Sequence, residues 1–275
     1  MRIVVLGPSV YSETTCAMAA HLAQLGHIPA GALVLSTLSR ETLFRKLAQL
    51  GSRKVARYAR AKLIPQRADT QIDIDNRYLL PFLKKEHGTF RSLREVGRLY
   101  SFPLFACGNQ NAAHSIAQLR KWSPDLIIFT GGNILRKQLL DIPRLGVLNA
   151  HLGLLPDIRG MSSPEWSLLK NIPIGITIHF MDEGIDTGPV LQRFELPDAG
   201  ACESLSDLRK RLIAYGVKKM VEVVTGIESG AISATAQLNN GRDNQFFVMH
   251  EWLQSRAAEC LTSNRTAAVS EMVHG

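Results

Sequence analysis

Asn149 and His151 stand one residue apart at the end of the apolar run Gly146–His151, within GVLNAHLGLLPDIRG, and Leu-Pro and Arg-Gly follow at once. In a strand, residues i and i+2 face the same side. The strand end therefore presents an amide and an imidazole together. Further on, IHFMDEGIDTGPVLQ (Ile178–Gln192) carries Asp182, Glu183 and Asp186 on a loop that Gly184 and Gly188 allow to turn sharply. A donor amide, an imidazole and a carboxylate are groups able to stabilise a negatively charged oxygen and to move protons, so the set could begin an active site. Each stretch also has a plainer reading alone. The first could be a hydrogen-bonded polar rim and the second an acidic hairpin turn. The acids do not follow the calcium-loop pattern, and no metal site is expected from them.

Positioning these side chains requires alternating strands and helices. RIVVLG reads as a buried strand, SETTCAMAAHLAQLGH as a helix and IPAGALVLS as a second strand. That order implies a parallel pair joined by a right-handed crossover. Residues 68–100 are mixed, with short helices. FPLFAC then reads as a strand, NAAHSIAQLRKW as a helix and PDLIIFTGG as a strand covered on both faces. ILRKQLLDI reads as a short helix, GVLNAH as a strand and SPEWSLLKN as a helix. IGITIHFMD and GPVLQRFEL read as neighbouring strands, followed by a long amphipathic helix closed by Gly230. AISATAQ is expected as a short strand, NQFFVMHEWLQSRAAECL as a last helix and LTSNRTAAVSEMVHG as a frayed tail. The expected class is α/β, an open Rossmann-like, mostly parallel sheet with an antiparallel second half. Ligands in such sheets bind beyond the carboxyl ends of the strands, where Asn149 and His151 lie. Residues 1–230 are expected to form one catalytic domain with a basic helical insertion near 38–100, and 231–275 a short C-terminal appendage.

With 275 residues and 45% hydrophobic content, the chain can bury a core over most of its length. Its net charge of +8 is partly local: Arg40, Arg45, Lys46, Arg53, Lys54, Arg57, Arg60, Lys62 and Arg67 cluster against Glu41 alone. Such a run is either a solvated helix face or a contact for RNA, phosphate or an acidic surface. Cys16, Cys107, Cys202 and Cys260 form no Cys-x-x-Cys pair, so a zinc knuckle or redox motif is not indicated. The N-terminus reads as a first strand rather than a signal peptide, and no apolar run reaches membrane-spanning length; a cytoplasmic location is expected. The first loop, LGPSVYSETT, lacks both Gly-x-Gly-x-x-Gly and the phosphate-loop Gly-Lys-Ser/Thr.

Taken together, Asn149-x-His151, Leu-Leu-Pro, Arg159-Gly160, Ile-Thr-Ile-His and Asp186-Thr-Gly-Pro form an ordered set. It resembles the formyltransferases that use 10-formyltetrahydrofolate: the glycinamide ribonucleotide, methionyl-tRNA and nucleotide-amino-sugar enzymes. The similarity is strong over about 124–196 and weak through the first hundred residues. The resemblance implies the formyltransferase fold and a catalytic trio of Asn149, His151 and Asp186. It also implies a pterin cleft with backbone contacts near Ile134 and Leu135, and packing by Leu135 and Leu140. The loop Asp182, Glu183, Gly184 and Ile185 would form the opposite wall. His179 belongs to the same resemblance, as a structural or a site-lining residue.

Two departures matter. Many members have Pro-Ser after the catalytic His, where this chain has Leu152-Gly153. GPSVYSE also does not match the phosphate loop of the glycinamide ribonucleotide enzymes. The tRNA enzymes carry a C-terminal β-barrel, for which the residues after Gly230 are too few, and a hydrolase is expected to begin with a regulatory domain. The expectation is therefore N-formylation of a small primary amine, with a nucleotide-linked amino sugar as one candidate. The folate is the formyl donor; no membrane partner is expected, nucleic acid is disfavoured, and a homodimer is compatible. The alternatives are a glycinamide ribonucleotide or methionyl-tRNA formyltransferase, or a folate- or RNA-binding protein on a degenerate scaffold.

Overall fold

The computed structural model describes residues 1–36, 75–238 and 244–274. The basic run Arg40–Arg67 lies outside them. The chain divides into two compact units, residues 1–147 and 148–275. In the first unit, IVVLG forms β1 (Ile3–Gly7), with all five residues buried. A strand with no polar face needs cover on both sides. It pairs in parallel with β2 (Gly31–Leu35), which pairs in parallel with β3 (Leu104–Cys107). On its other edge β1 pairs in parallel with β4 (Leu126–Phe129). The order in this unit is thus β3-β2-β1-β4.

Helix α1 (Glu13–Gln24) begins where the Ser12 hydroxyl accepts a hydrogen bond from the Thr15 amide, with Glu13 in its first turn. Both features favour a helix N-terminus. Its buried face runs from Thr15 through Ala20 to Ala23. The described part of the expected insertion forms a 3-10 turn at Arg77–Leu79, then α2 (Leu80–Leu83) and α3 (Leu93–Leu99). Helix α4 (Ala113–Trp122) precedes β4, and the short α5 (Lys137–Leu140) follows it.

Strand β5 (Gly146–His151) leads into the second unit, and the two-residue β6 (Arg159–Gly160) and α6 (Ser163–Leu169) come next. Strand β7 (Gly175–Phe180) runs antiparallel to β5 and to β8 (Val190–Glu195), with a register shift in the latter pairing at Ile178/His179. The expected α/β class, parallel first and antiparallel later, is what the chain adopts. Helix α7 (Leu205–Glu228), capped by Ser204, lies against β7. Leu208 and Leu212 of α7 join Ile176 of β7 in one buried cluster.

The end of the chain departs from expectation. AISATAQ forms no strand; Thr235 makes a single antiparallel bridge to Val190. The last helix, α8 (Glu251–His274), starts later than expected because Gln245–Phe246 form a strand, β9, that pairs in parallel with β6. The stretch expected as a frayed tail lies within that helix up to His274. Residues read as an appendage contribute Met249, Ala257 and Leu261 to the core of the second unit. No helix among the described residues is long and apolar enough to cross a membrane.

Candidate catalytic site

The antiparallel register of β5 and β7 places Asn149 opposite His179 and His151 opposite Thr177. Cross-strand neighbours of this kind are within side-chain reach. Asn149 Nδ2 lies 3.3 Å from His179 Nε2. On the other ring nitrogen, His179 Nδ1 lies 2.8 Å from the Phe180 carbonyl oxygen. A carbonyl only accepts, so Nδ1 carries the proton and Nε2 offers a lone pair to the Asn149 amide. That arrangement uses one amide hydrogen of Asn149 and leaves the second for a ligand.

Asp186 reaches both imidazoles. Its Oδ2 is 3.3 Å from His151 Nδ1, and its Oδ1 is 3.6 Å from His179 Nε2. The Gly160 amide donates to Asp186 Oδ2 at 2.8 Å. His151 is held at its far end too. Its Nε2 lies 2.8 Å from the Ile158 carbonyl oxygen and 3.3 Å from Ser163 Oγ, whose own proton goes to the Gly160 carbonyl at 3.1 Å. The Ile158 carbonyl therefore fixes a proton on Nε2. Nδ1, facing Asp186, is the nitrogen that gains and loses one.

Presented together at the strand end, the amide and the imidazole are not both left open to one ligand atom. The imidazole of His151 is instead engaged at both nitrogens, and the residue is 6% exposed. The physical reason lies in LGLLPDIR. Thr177 Oγ1 donates to the Gly153 carbonyl and accepts from the Leu155 amide, folding that loop back until Ile158 O meets the ring.

Burial pushes the His151 pKa below the ordinary imidazole value, against the pull of Asp186 and the Ile158 hydrogen bond. His179 is lowered as well, mainly by burial, with Asp186 opposing and His151 adding to the fall. Both rings are thus favoured neutral, ready to accept protons rather than already charged. The unfolded chain protonates at its ordinary value near 6.5 while the folded chain resists. Stability is therefore full above that pH and declines as pH falls from there through the lower folded values. Melting temperatures measured between about pH 7.5 and 5.5 should fall with acidity, and His179→Gln should flatten part of the fall; parallel curves would contradict this assignment.

The remaining expected site residues are placed as follows. In the first unit, Ile134 is 91% exposed, Leu135 is 5% exposed and Leu140 is half-buried. Ile134 therefore offers the open apolar side chain of the three. Its loop is held by two adjacent amides. Gln110 and Asn133 exchange hydrogen bonds, and Asn111 donates to the Ile134 carbonyl while accepting from the Arg136 amide. In the second unit, Asp182, Glu183, Gly184 and Ile185 are exposed. Asp182 Oδ1 accepts from the Gly184 amide at 3.0 Å and the Thr187 hydroxyl at 2.7 Å, which is turn chemistry.

Ser163, the Ile158 carbonyl and the Gly160 amide were not foreseen from sequence. A backbone group carries no sequence signal, and Ser163 reads as an ordinary helix-start residue.

The family model described as Formyl transferase matches residues 61–224. Methionyl-tRNA formyltransferase from Kosmotoga olearia is 33% identical over 148 residues, 53% of this chain and 47% of that protein. The chain spans about half the length of the curated relatives it matches. Glycinamide ribonucleotide transformylase 1 from Symbiobacterium toebii shares the fold with a TM-score of 0.53 at 17% identity, over 86% of this chain and 95% of that one. The N-formyltransferase from Helicobacter canadensis, solved with folinic acid and dTDP-3-aminofucose, has a TM-score of 0.52 at 12% identity, over 90% and 71% of the two chains.

Proposed function

Because the chain belongs to the formyl transferase family, we propose that it moves the formyl group of 10-formyltetrahydrofolate to a primary amine, using Asn149, His151 and Asp186. The observation that carries this reading is the Asp186 carboxylate, held by the Gly160 amide and set against the one ring nitrogen of His151 that is free to titrate. The folate supplies the formyl carbon and a nitrogen leaving group.

As the amine nitrogen bonds to that carbon, negative charge grows on the carbonyl oxygen. The second Asn149 amide hydrogen, oriented by His179, is available to donate to it; one such donor is worth ~3 kcal/mol. The attacking nitrogen must also lose a proton. The His151 Nδ1–Asp186 pair accepts it, and the same pair returns it to the departing nitrogen as the carbon–nitrogen bond breaks. No net proton is gained or lost by the protein over the cycle.

For the acceptor we favour a small-molecule amine, a nucleotide-linked amino sugar being the first class to test. The fold shared with a protein solved with dTDP-3-aminofucose supports this. An aminoacyl-tRNA acceptor is the second reading, favoured by the names of the curated relatives. Incubation with 10-formyltetrahydrofolate and either a panel of amines or charged initiator tRNA, with tetrahydrofolate release as readout, separates them. Release without added amine would instead favour hydrolysis, and no release under any condition would overturn formyl transfer.

A further inference from the structure

Asp186 is a non-glycine residue with φ of 54°. The left-handed region costs most L-residues on the order of 1 kcal/mol, and Asp less; contacts from outside the loop add to what holds it there. They come from the C-terminal segment. Gln237 Nε2 donates to the Asp186 carbonyl at 2.9 Å and to the Gly188 carbonyl at 2.7 Å. One amide thus uses both its hydrogens to pin the chain on either side of Thr187. The paired hydrogen bonds between Val190 and Thr235, each 2.8 Å, bring Gln237 to this position.

The carboxylate end of Asp186 depends on the same segment, by a second route. Its donor, Gly160, lies on β6, and β9 holds β6 in place. Arg159 N donates to the Asn244 carbonyl at 2.8 Å, and Met161 N donates to the Phe246 carbonyl at 2.9 Å. The Asn244 side chain donates to the Pro156 carbonyl, and Met249 N donates to Ser162 Oγ. A Cβ on Gly160 would collide with the Phe246 carbonyl oxygen, so the two strands approach as closely as glycine allows.

We propose that Gln237 and residues 244–249 frame the catalytic centre and that Gln237 is the positioning residue for Asp186. Gln237 touches no reacting atom in this scheme. It acts by fixing where the carboxylate stands relative to His151. The kinetic part of the test rests on the formyl-transfer reading; the spectroscopic part does not.

The test uses the full chain with Gln237→Met, which keeps length and removes both donors, and Gln237→Asn, which keeps the amide on a shorter arm. Leu238→Ala, at a residue 77% exposed, is the control. A misplaced catalytic group costs up to roughly 100-fold. Gln237→Met should lower kcat roughly 10–100-fold, with KM for 10-formyltetrahydrofolate changed less than about twofold. Gln237→Asn should fall between it and wild type. In the same variants, the His151 imidazole followed by NMR should titrate at lower pH than in wild type, because Asp186 no longer opposes the effect of burial. An unchanged kcat together with an unchanged His151 titration would overturn the proposal. If the wild-type protein transfers no formyl group, that reading fails, and the NMR shift alone decides this one. Should Gln237→Met fail to fold, Gln237→Asn carries both measurements.

Discussion

Asp186→Asn should lower kcat by about four orders of magnitude while donor affinity stays within a few-fold. Removing the carboxylate of a comparable carboxylate–imidazole pair costs on that order. The substitution preserves shape, and the amide oxygen can still accept the hydrogen bond from Gly160 N. That oxygen is also the atom facing His151 Nδ1, so the new amide nitrogen takes the other carboxylate position, towards His179 Nε2. The Ile158 carbonyl still fixes a proton on Nε2, so Nδ1 would have to gain its proton opposite an uncharged amide oxygen rather than a carboxylate. Nδ1 would take the amine's proton far less readily, because the negative charge that makes the pair a proton acceptor would be gone. The loss should fall on kcat, because the expected folate contacts lie on other residues. Single-turnover formyl transfer, with donor binding measured separately, checks this. A fall of less than tenfold would remove Asp186 from the chemistry.

The readable part of this site was the part written in periodicity and local spacing. Asn149 and His151 announce a strand end because they interrupt an apolar run at i and i+2. Asp186 announces a loop because Gly184 and Gly188 bracket it. His179 was visible but ambiguous, since its role depends on which strand pairs with β7 and in what register. A single strand sequence does not specify its partner. Gln237 was not visible at all. It sits 51 residues from Asp186, in a stretch that alternates like a strand but makes one bridge. Strand β9 is two residues long and has no periodicity to read. From sequence it reads as the start of the following helix, because the apolar residues Phe246, Phe247, Val248 and Met249 fit a helical run as well as an extended one. What the sequence concealed was therefore the brace rather than the side chains proposed to react. Braces made of backbone hydrogen bonds between distant segments leave little trace in residue type.

Asn149→Asp should impair catalysis more than Asn149→Ala, and the order of the two carries the argument. Alanine removes a donor to the developing oxyanion, a loss of ~3–4 kcal/mol, or roughly 10²–10³-fold in kcat. Aspartate has the same size but, ionised, no hydrogen to give. It cannot donate to His179 Nε2, which accepts from Asn149 at 3.3 Å in the native protein. It also adds a negative charge where negative charge must accumulate, beside a second carboxylate already at Asp186. Protonation of His179 would relieve part of that repulsion, so the variant should recover some activity as pH falls below about 6.5, the ordinary imidazole value. The alanine variant has no such carboxylate and should show no recovery of this kind. Parallel pH–rate profiles of the two proteins measure both effects. If the aspartate variant matched or exceeded the alanine one at neutral pH, Asn149 would be acting through its shape or its carbonyl, and the oxyanion donor would have to be sought elsewhere.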